Sequence, residues 1–273
     1  MSIENKDHFL HLSNRLHLQI THFAYGIYPA ADGTFSSLPV NRLLFCLGST
    51  DNEESYVADA EHHFSMQSGH FYFIPANHVA GVRLSAGMYF VSIQFLLDLY
   101  NGLDVFASVK KILDFEGAAQ VEQARKIFDI AAENIWLAKL PGLTYDCIGS
   151  VFEKLEPIQL NLTEIADFSV QSLRLISGTC TAMTTVAELA DLCNVNRDTF
   201  SRNFTRKNGI TPKQFLTRCI LRRAYILLSS GKYRVHEVAK ELKFSNEFYF
   251  SRFFKKHTGV TPKDFRMLHY SNF

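Results

Sequence analysis

The pattern of apolar residues changes along the chain. Between residues 16 and 100 the apolar residues form short runs, rich in aromatic and β-branched side chains and broken by Gly, Asn and Pro. The runs cover 16–28, 42–49, 62–76 and 87–100, and Asp32-Gly33 predicts a turn after the first. Short runs at this spacing are typical of the strands of a small barrel or sandwich.

From about Lys110 the apolar positions follow the period of a helix. Val121, Ala124 and Phe128 begin a stripe that continues at Ala131 and Ile135, and such a stripe predicts an amphipathic helix. Pro141-Gly142 predicts the end of this helix. Two more helices are predicted over 144–156 and 162–177. A helical region with so few turns favours at least one exposed apolar stripe for a partner, such as a second copy of the chain.

The last third of the chain contains one pattern twice, over residues 186–215 and 235–265. The offset between the copies grows from 49 to 50, so the second copy has one extra residue between its first two helices. Positions shared at the offset of 50 are Ser201/Ser251, Arg202/Arg252, Phe204/Phe254, Gly209/Gly259, Thr211/Thr261 and Pro212/Pro262. An internal repeat predicts two copies of one supersecondary unit.

Each copy predicts a helix-turn-helix unit followed by a new helix. In the first copy Thr185 and Glu188 have the spacing of a capping box, Asn194 suits the turn, and Asn196 suits the cap of the second helix. Glycine then ends that helix, and Thr-Pro starts the next. The second copy repeats the pattern, with Ser245 expected as the cap. Residues 212–230 predict one linker helix that holds the two units at a fixed separation.

The outward face of each second helix carries groups that suit DNA. Arg202 lies about 160° around the helix from the apolar ridge of Phe200 and Phe204, and Arg252 has the same relation to its own ridge. Arginine there can donate two hydrogen bonds to guanine, and lysines near helix ends suit phosphates. The candidate DNA-contacting residues are Asp198, Ser201, Arg202, Thr205, Lys207, Glu247, Phe248, Ser251, Arg252, Lys255 and Lys256. An outward Phe248 suits either a thymine methyl group or packing against the preceding helix, and both alternatives stay open.

Charge divides the chain in the same way. Residues 178–273 contain 17 Lys and Arg against 7 Asp and Glu, whereas residues 1–177 contain 11 against 20. Such asymmetry favours a basic nucleic-acid module joined to an acidic one, although basic helices can also simply be solvated. Five scattered cysteines without a CxxC pair, no signal peptide and no long apolar run predict a reduced, cytoplasmic and nucleoid-associated protein without a membrane segment.

With these motifs, residues 180–268 resemble the DNA-binding domain of the AraC/XylS family of bacterial transcription regulators. The closing segment, Phe250 to Arg266, is close to the family signature. The resemblance implies recognition of an asymmetric DNA site by both units, an N-terminal effector or dimerisation domain, and RNA polymerase as a partner. Two positions depart from the family pattern. Lys243 stands where a glycine is usual in the turn of the second unit, and Ile220 replaces a common arginine of the linker helix.

The N-terminal part resembles a cupin-like barrel through the Gly69–Pro75 hairpin. Cupin enzymes use histidines as metal ligands, but His62 and His63 are adjacent and would point to opposite faces of a strand. We therefore expect His62, His63, His70 and His78 to be surface or hydrogen-bonded residues, with no metal and no cofactor. Aromatic residues of these strands can line an effector pocket or fill a closed core, and both alternatives stay open. They are Phe71, Phe73, Tyr89 and Phe95.

The expected fold class is α+β: a cupin-like β-barrel over 1–110 with appended helices, a helical dimerisation or linker region over 111–177, and an all-α domain of two helix-turn-helix units over 178–273. The expected function is sequence-specific, DNA-binding transcription regulation by a homodimer, with a small-molecule effector and no catalysis. Two alternatives are a metal-dependent cupin enzyme carrying a DNA-binding tail, and a module whose basic face binds an acidic protein.

Overall fold

The computed structural model describes residues 16–27, 31–50, 53–100, 103–129, 136–155 and 178–270. The predicted helix over 162–177 lies outside these residues. Within them the N-terminal part consists of two antiparallel sheets with two packed helices, and the C-terminal part is helical. The predicted α+β class and the change from strands to helices are confirmed.

The strands form two separate sheets. Their bounds are β1 His17–Ile27, β2 Ala31–Ser37, β3 Asn41–Ser49, β4 Tyr56–Ala58, β5 His63–Ser65, β6 His70–Ile74, β7 Val79–Leu84, β8 Met88–Tyr100, β9 Leu103–Asp104 and β10 Leu113–Glu116. The large sheet has the order β1-β8-β3-β6-β10, with β9 on β8, and the small sheet has the order β2-β7-β4-β5.

The two sheets face each other but do not close into a barrel. Leu44 and Tyr72 of the large sheet share an apolar cluster with Val57 and Ala80 of the small one. Among the described strands, β1 is paired only with β8 and β2 only with β7, so both end their sheets. The expectation of a closed cupin-like barrel is therefore corrected to an open pair of sheets.

The predicted turn at Asp32-Gly33 is instead a bulge inside β2. The register between β2 and β7 shifts between Asp32 and Phe35. Gly33 has a φ of 79°, and the Asp32 carboxylate accepts a hydrogen bond from the Thr34 amide at 2.9 Å. Asp-Gly therefore has its usual local geometry here, but the chain continues as a strand because both sides pair with β7.

Two helices, α1 (Ala118–Asp129) and α2 (Trp136–Lys154), cover the outer face of the large sheet. The apolar stripe of α1 begins at Val121 and Ala124 as predicted, and both side chains are buried in the main N-terminal core. Pro141 was expected to end a helix, but it lies inside α2. Proline removes one intrahelical hydrogen bond, and packing of Leu140 and Leu143 against the sheet sustains the helix through that defect.

The C-terminal helices follow the predicted repeat. They are α3 Val186–Leu192, α4 Arg197–Asn208, α5 Pro212–Ser229, α6 Val235–Glu241, α7 Glu247–Thr258 and α8 Pro262–Tyr270. The predicted capping box at the start of α3 is confirmed, because Thr185 and Glu188 exchange hydrogen bonds at 2.8 and 3.2 Å. Asn196 caps α4 as predicted, and its side chain accepts from the Thr199 amide at 2.8 Å.

The second unit differs from the prediction at its cap. Asn246, and not Ser245, caps α7 by accepting a hydrogen bond from the Tyr249 amide at 3.0 Å. Asn246 is the residue that corresponds to Asn196, so the repeat itself identifies the cap better than the preference of serine for this position. The turn of the second unit keeps the left-handed geometry despite the unusual Lys243, whose φ is 56°, close to the 53° of Asn194 in the first unit.

The two halves of the protein share one apolar cluster. Leu38 and Val40 of the β2–β3 connection and Leu96 of β8 are buried together with residues of the C-terminal helices, among them Phe215 and Tyr225. A buried ion pair joins the halves as well. Arg222 of α5 donates to the carboxylate of Asp98 at the end of β8, and that carboxylate is fully shielded from solvent. Helix α5 is thus both the bar between the repeated units and their anchor on the sheets.

Candidate DNA-binding surface and interdomain cavity

Helices α4 and α7 are held by the same apolar ridge. Phe200 and Phe204 of α4 are fully buried, and so are Phe250 and Phe254 of α7. Burial of one face by two aromatic residues a turn apart forces the opposite face outward. The arginines at the centres of these opposite faces, Arg202 and Arg252, are both exposed.

The outward face of α4 is polar. Asp198 is exposed beside Arg202, while Ser201 and Thr205 are half-buried. The Thr205 hydroxyl donates to the Ser201 carbonyl oxygen at 2.8 Å, so its oxygen is left as an acceptor toward solvent. Lys207 belongs to α4, but its side chain lies outside the described part of the structure. The structure therefore brings Asp198, Ser201, Arg202 and Thr205 to one surface.

The outward face of α7 is aromatic at its N-terminal end and basic at its C-terminal end. Glu247, Arg252, Lys255 and Lys256 are exposed and Ser251 is half-buried. Phe248 is 82% exposed, which rules out packing against the preceding helix and leaves the thymine-methyl alternative open.

Tyr249 is a surface residue that the sequence reasoning did not include. It is 62% exposed, and the Cζ atom of Arg252 lies 5.8 Å from the centroid of its ring. Comparison of the two copies could have identified Tyr249, since it corresponds to Thr199, a polar residue of the first unit. Because the first unit has a polar residue at this position, packing does not require an aromatic one there, and Tyr249 is expected to have a role outside the core.

Ile220 and the arginines of the linker helix serve the interior and the domain junction. Ile220 is buried in the shared apolar cluster, which explains why an arginine is not needed there. Arg222 pairs with Asp98, and Arg223 lies 3.5 Å from the carboxylate of Glu241 in α6. The departure at Ile220 therefore does not involve the outward faces of α4 and α7.

A cavity of about 700 Å³ lies between the two sheets and the second helix-turn-helix unit. On the large sheet its wall includes a row of three polar side chains from neighbouring strands, His22 of β1, Gln94 of β8 and Arg42 of β3, which are opposite one another in the strand register. Farther along the same strands the lining becomes apolar at Leu44 and Phe90.

Arg42 is the unusual member of this wall. Its side chain is buried, and its Nε and Nη2 atoms have no hydrogen-bond partner among the described residues. Burial lowers the pKa of Arg42 to about 10, so the guanidinium remains charged at neutral pH. Burial also lowers the pKa of His22 to about 4, so the neighbouring imidazole is neutral. A buried and incompletely paired cation is costly unless something supplies an anion.

The other end of the cavity belongs to the C-terminal domain. Lys255, Val260 and Asp264 line it there, together with Thr34 and Ser36 of β2. Lys255 was predicted to face a phosphate, yet it lies at the rim of this cavity, because the C-terminal end of α7 rests on β2. A Cβ atom at Gly259 would come within 3.1 Å of the Phe35 carbonyl oxygen.

The aromatic residues for which a pocket and a closed core were both open alternatives fill a core. Phe71, Phe73 and Phe95 are almost fully buried, and with the partly buried Tyr89 they belong to the cluster beneath α1 and α2. They lie on the opposite face of the large sheet from the cavity. The sequence contained a better signal, namely the polar residues Arg42 and Gln94 inside otherwise apolar strands.

The four candidate histidines contact carboxylates. His62 and His78 lie 3.0 and 2.9 Å from the two oxygens of Asp59, His63 lies 3.1 Å from Glu54, and His70 lies 2.9 Å from Asp114. Burial alone would raise the pKa of Asp59, but hydrogen bonds from the Glu61 amide and from both histidines hold it well below its usual range. Among the described residues, no group of three or more His, Cys, Asp or Glu side chains has an arrangement that could hold a metal ion.

The cysteines fit the expected role of small apolar side chains. Cys46, Cys147, Cys180 and Cys219 are buried, Cys193 is half-buried, and all five are free thiols. Burial raises the pKa of Cys219 above its usual range. Among the described helices, none is both long and apolar enough to cross a membrane.

Comparison with known proteins bears directly on this surface. Residues 189–267, which contain most of both units, match a family described as a helix-turn-helix domain. No protein among curated sequences matches the chain significantly. The match covers α4, α5, α6 and α7 completely.

Solved structures of the regulator ToxT from Vibrio cholerae are similar over nearly the whole chain. ToxT of strain O395 gives a TM-score of 0.61 at 13% identity, covering 94% of this chain and 99% of ToxT. ToxT of strain SCE256 with bound unsaturated fatty acid gives 0.58 at 12% identity, covering 94% and 96%. ToxT of strain O395 bound to (E)-4-(8-methylnaphthalen-1-yl)but-3-enoic acid gives 0.60 at 12% identity, covering 93% and 99%.

The match places a helix-turn-helix domain over the part of the chain that contains the two repeated units. The expected helix-turn-helix domain in the C-terminal third is thereby confirmed, and the fold of the whole chain is similar to that of ToxT.

Proposed function

We propose that the protein regulates transcription by reading an asymmetric DNA site with α4 and α7 in successive major-groove segments. The observation that carries this proposal is the pair of exposed arginines, Arg202 and Arg252, at matching positions of two helices whose other exposed residues differ. Two non-identical readers on one chain favour a site without twofold symmetry. Helix α5 has 18 residues, or about 27 Å at 1.5 Å per residue, and a spacing below about 34 Å would require bent DNA.

Selection of duplexes from a random library by the full-length protein, followed by footprinting, tests this proposal. Arg202→Ala and Arg252→Ala should each weaken binding by about 1–3 kcal/mol and relax base preference in a different half of the site. Lys263→Ala, a change of an exposed basic residue outside α4 and α7, is the matched control. Failure to enrich any sequence, or an equal loss on all sequences for both arginine variants, would reject the proposal.

We further propose that the interdomain cavity binds an effector that carries a carboxylate and an apolar body. Arg42 supplies a buried positive charge with two nitrogen atoms available for hydrogen bonds, His22 and Gln94 stand beside it, and Leu44 and Phe90 lie farther along the wall. The volume of about 700 Å³ is within the range of small-molecule sites. ToxT, which shares this fold, has been solved with an unsaturated fatty acid bound, and a ligand of that class suits the polar-to-apolar gradient.

Binding of an unsaturated fatty acid to the full-length protein, measured by calorimetry, tests the effector proposal. Arg42→Gln should weaken binding by at least tenfold, whereas Arg83→Gln, a change of an exposed arginine on β7, should not. The methyl ester of the same acid should bind the wild type poorly, and this control does not depend on the folding of any variant. Equal binding of the acid and its ester would exclude a carboxylate site at Arg42.

Homodimerisation through residues 111–177 remains part of the proposal, with RNA polymerase as the partner in activation and the cytoplasm as the place of action. The apolar stripes of α1 and α2 are already used against the large sheet, so the interface would employ their exposed faces, where Tyr145 is 44% exposed. Sedimentation of the full-length protein at micromolar concentration tests this part. A monomer at all concentrations would leave DNA as the only means of bringing two copies together.

A further inference from the structure

We propose that the second helix-turn-helix unit reads the C5-methyl group of a thymine through Phe248, within two base pairs of a guanine contacted by Arg252. This inference deepens the proposed DNA-binding function and rests on it. It assigns apolar recognition to the second unit alone. The first unit, with Asp198 and Arg202, would then read its half-site by hydrogen bonds.

The exposure of Phe248 is the first observation. A phenylalanine side chain that is 82% exposed leaves most of its apolar area in water, and the free protein gains nothing from it. Tyr249, which follows, is 62% exposed. Two adjacent exposed aromatic residues on a helix of a DNA-binding domain indicate a contact that forms only in the complex.

The first unit provides an internal control for this reading. Asp198 and Thr199 occupy in α4 the positions that Phe248 and Tyr249 occupy in α7. Both helices start from an asparagine cap, bury the same two-phenylalanine ridge, and end at a glycine with positive φ. The scaffold therefore does not require aromatic residues at these positions. We therefore attribute the aromatic residues of α7 to a binding partner that this helix contacts.

The position of the pair on α7 separates it from the domain junction. The contact of the second unit with the sheets lies at the other end of the helix, where Gly259 meets β2. From Phe248 to Gly259 is about 16 Å along the helix axis at 1.5 Å per residue. Phe248 and Tyr249 therefore lie at the end of α7 that is remote from this contact, and both remain exposed.

The neighbouring groups favour DNA as the occupant. Arg252 is one turn from Phe248 on the same face, and Lys255 and Lys256 follow, so the apolar patch is continuous with a basic surface. An acidic nucleic-acid surface suits this combination better than an apolar protein surface. Thymine is the base that offers a methyl group in the major groove. The four residues from Phe248 to Arg252 rise about 6 Å along the helix, and bases are spaced about 3.4 Å apart, which places the methyl within two base pairs of the guanine.

Tyr249 has a positioning role in this arrangement. Its ring lies 5.8 Å from the Arg252 guanidinium, a distance within the range of a cation–π contact. The contact restricts the Arg252 side chain before DNA arrives, so less conformational freedom is lost on binding.

The test begins with a duplex selected from a random library by the full-length protein. Each thymine of this duplex is then replaced singly by deoxyuridine, which removes the methyl group and keeps every hydrogen bond. For the wild type, one or two positions in a single half-site should lose about fourfold in affinity, the equivalent of about 0.8 kcal/mol for one buried carbon group. Phe248→Ala should bind the original duplex more weakly and show no sensitivity at those positions.

Asp198→Ala is the matched control and should keep the full sensitivity to deoxyuridine. Because Phe248 is exposed, its replacement should leave the far-ultraviolet circular dichroism and the melting temperature unchanged. A flat deoxyuridine scan, or unchanged sensitivity in Phe248→Ala, would overturn the inference while the selected duplex still supports the proposed function. Failure to select any duplex would contradict both the inference and the proposed function. Weaker binding of Phe248→Ala with no methyl dependence in the wild type would point to a contact of Phe248 with another part of the DNA and would also overturn it.

Discussion

The two helix-turn-helix units have the same interior and different exteriors. Each buries two phenylalanines one turn apart, starts its second helix from an asparagine and ends it at a glycine. On the outward side, an acidic and a hydroxyl residue in α4 correspond to two aromatic residues in α7. Packing fixes the inner positions because the interior tolerates little change in volume. The outer positions are free to differ, and in the proposed function they determine which DNA sequence each unit recognises.

The largest expected effect tests whether the interiors are equivalent. Phe200→Ala and Phe250→Ala should each lower the free energy of unfolding by about 3–5 kcal/mol, because each removes a fully buried aromatic ring. Phe248→Ala should change it by less than about 0.5 kcal/mol, because that ring is already in water. Urea denaturation of the full-length protein, followed by circular dichroism, measures all three. A large loss for Phe248→Ala would mean that the aromatic face of α7 is structural.

A smaller effect tests how the bar between the units is anchored. Near the ion pair of Arg222 with Asp98, the buried carboxyl of Asp104 accepts from the Asn41 amide at 2.6 Å. Burial and then the nearby Asp98 raise the pKa of Asp104 to about 7. An unfolded carboxyl loses its proton near pH 4, so between pH 4 and 7 the folded state binds more protons. The contribution of Asp104 to stability must therefore fall as pH rises through this window and be constant above it.

Asp104→Asn removes this dependence. Relative to the variant, the wild type should lose about 1 kcal/mol of unfolding free energy between pH 6 and pH 8. His22 titrates in the opposite sense, since its lowered pKa makes the folded state bind fewer protons, but it is present in both proteins and cancels in the difference. Denaturation of both proteins at the two pH values measures this difference in unfolding free energy. A difference that does not vary with pH would show that Asp104 is ionised throughout.

The smallest effect concerns the turns of the two units. Lys243 has a left-handed backbone, which is strained for a residue with a long side chain, whereas Asn194 tolerates the same conformation. Lys243→Gly should therefore raise the free energy of unfolding by about 0.5 kcal/mol, after the entropy cost of glycine is subtracted. Asn194→Gly should change it little. Thermal melts of both variants are the measurement, and an equal gain for both would mean that the identity of the turn residue is irrelevant.

Local features of the repeat were predictable because they depend on residues close in sequence. The capping box at Thr185, the cap at Asn196 and the helix start at Pro212 each follow from three or four adjacent residues. The error at Ser245 came from the preference of one residue type, where comparison of the copies would have indicated Asn246. The Pro141 error arose because tertiary packing compensates for a missing hydrogen bond, which the sequence does not show.

Features that depend on which face of a sheet is covered were not predictable. Alternation along β6 and β8 shows that a face is apolar, but not whether a helix or a ligand will cover it. Phe73 and Phe95 are consequently in the core beneath α1 and α2, while the cavity lies on the other face. Arg42, Gln94 and His22 come together through pairing of three strands that are distant in sequence. A single polar residue in an apolar strand indicates an unusual position, but it does not show which residues of other strands lie beside it.

The apolar cluster shared by the two halves has a consequence for how a protein with this fold can diversify. Leu38, Val40 and Leu96 belong to the same interior as the helices that present the DNA-facing surface. A C-terminal segment excised near residue 178 would carry an uncovered apolar face, and one grafted onto a different sensor would need a matching surface there. Exchange of modules by recombination is therefore restricted, and new specificity is reached more readily by substitution at positions such as 198 and 248, which the shared interior leaves unconstrained.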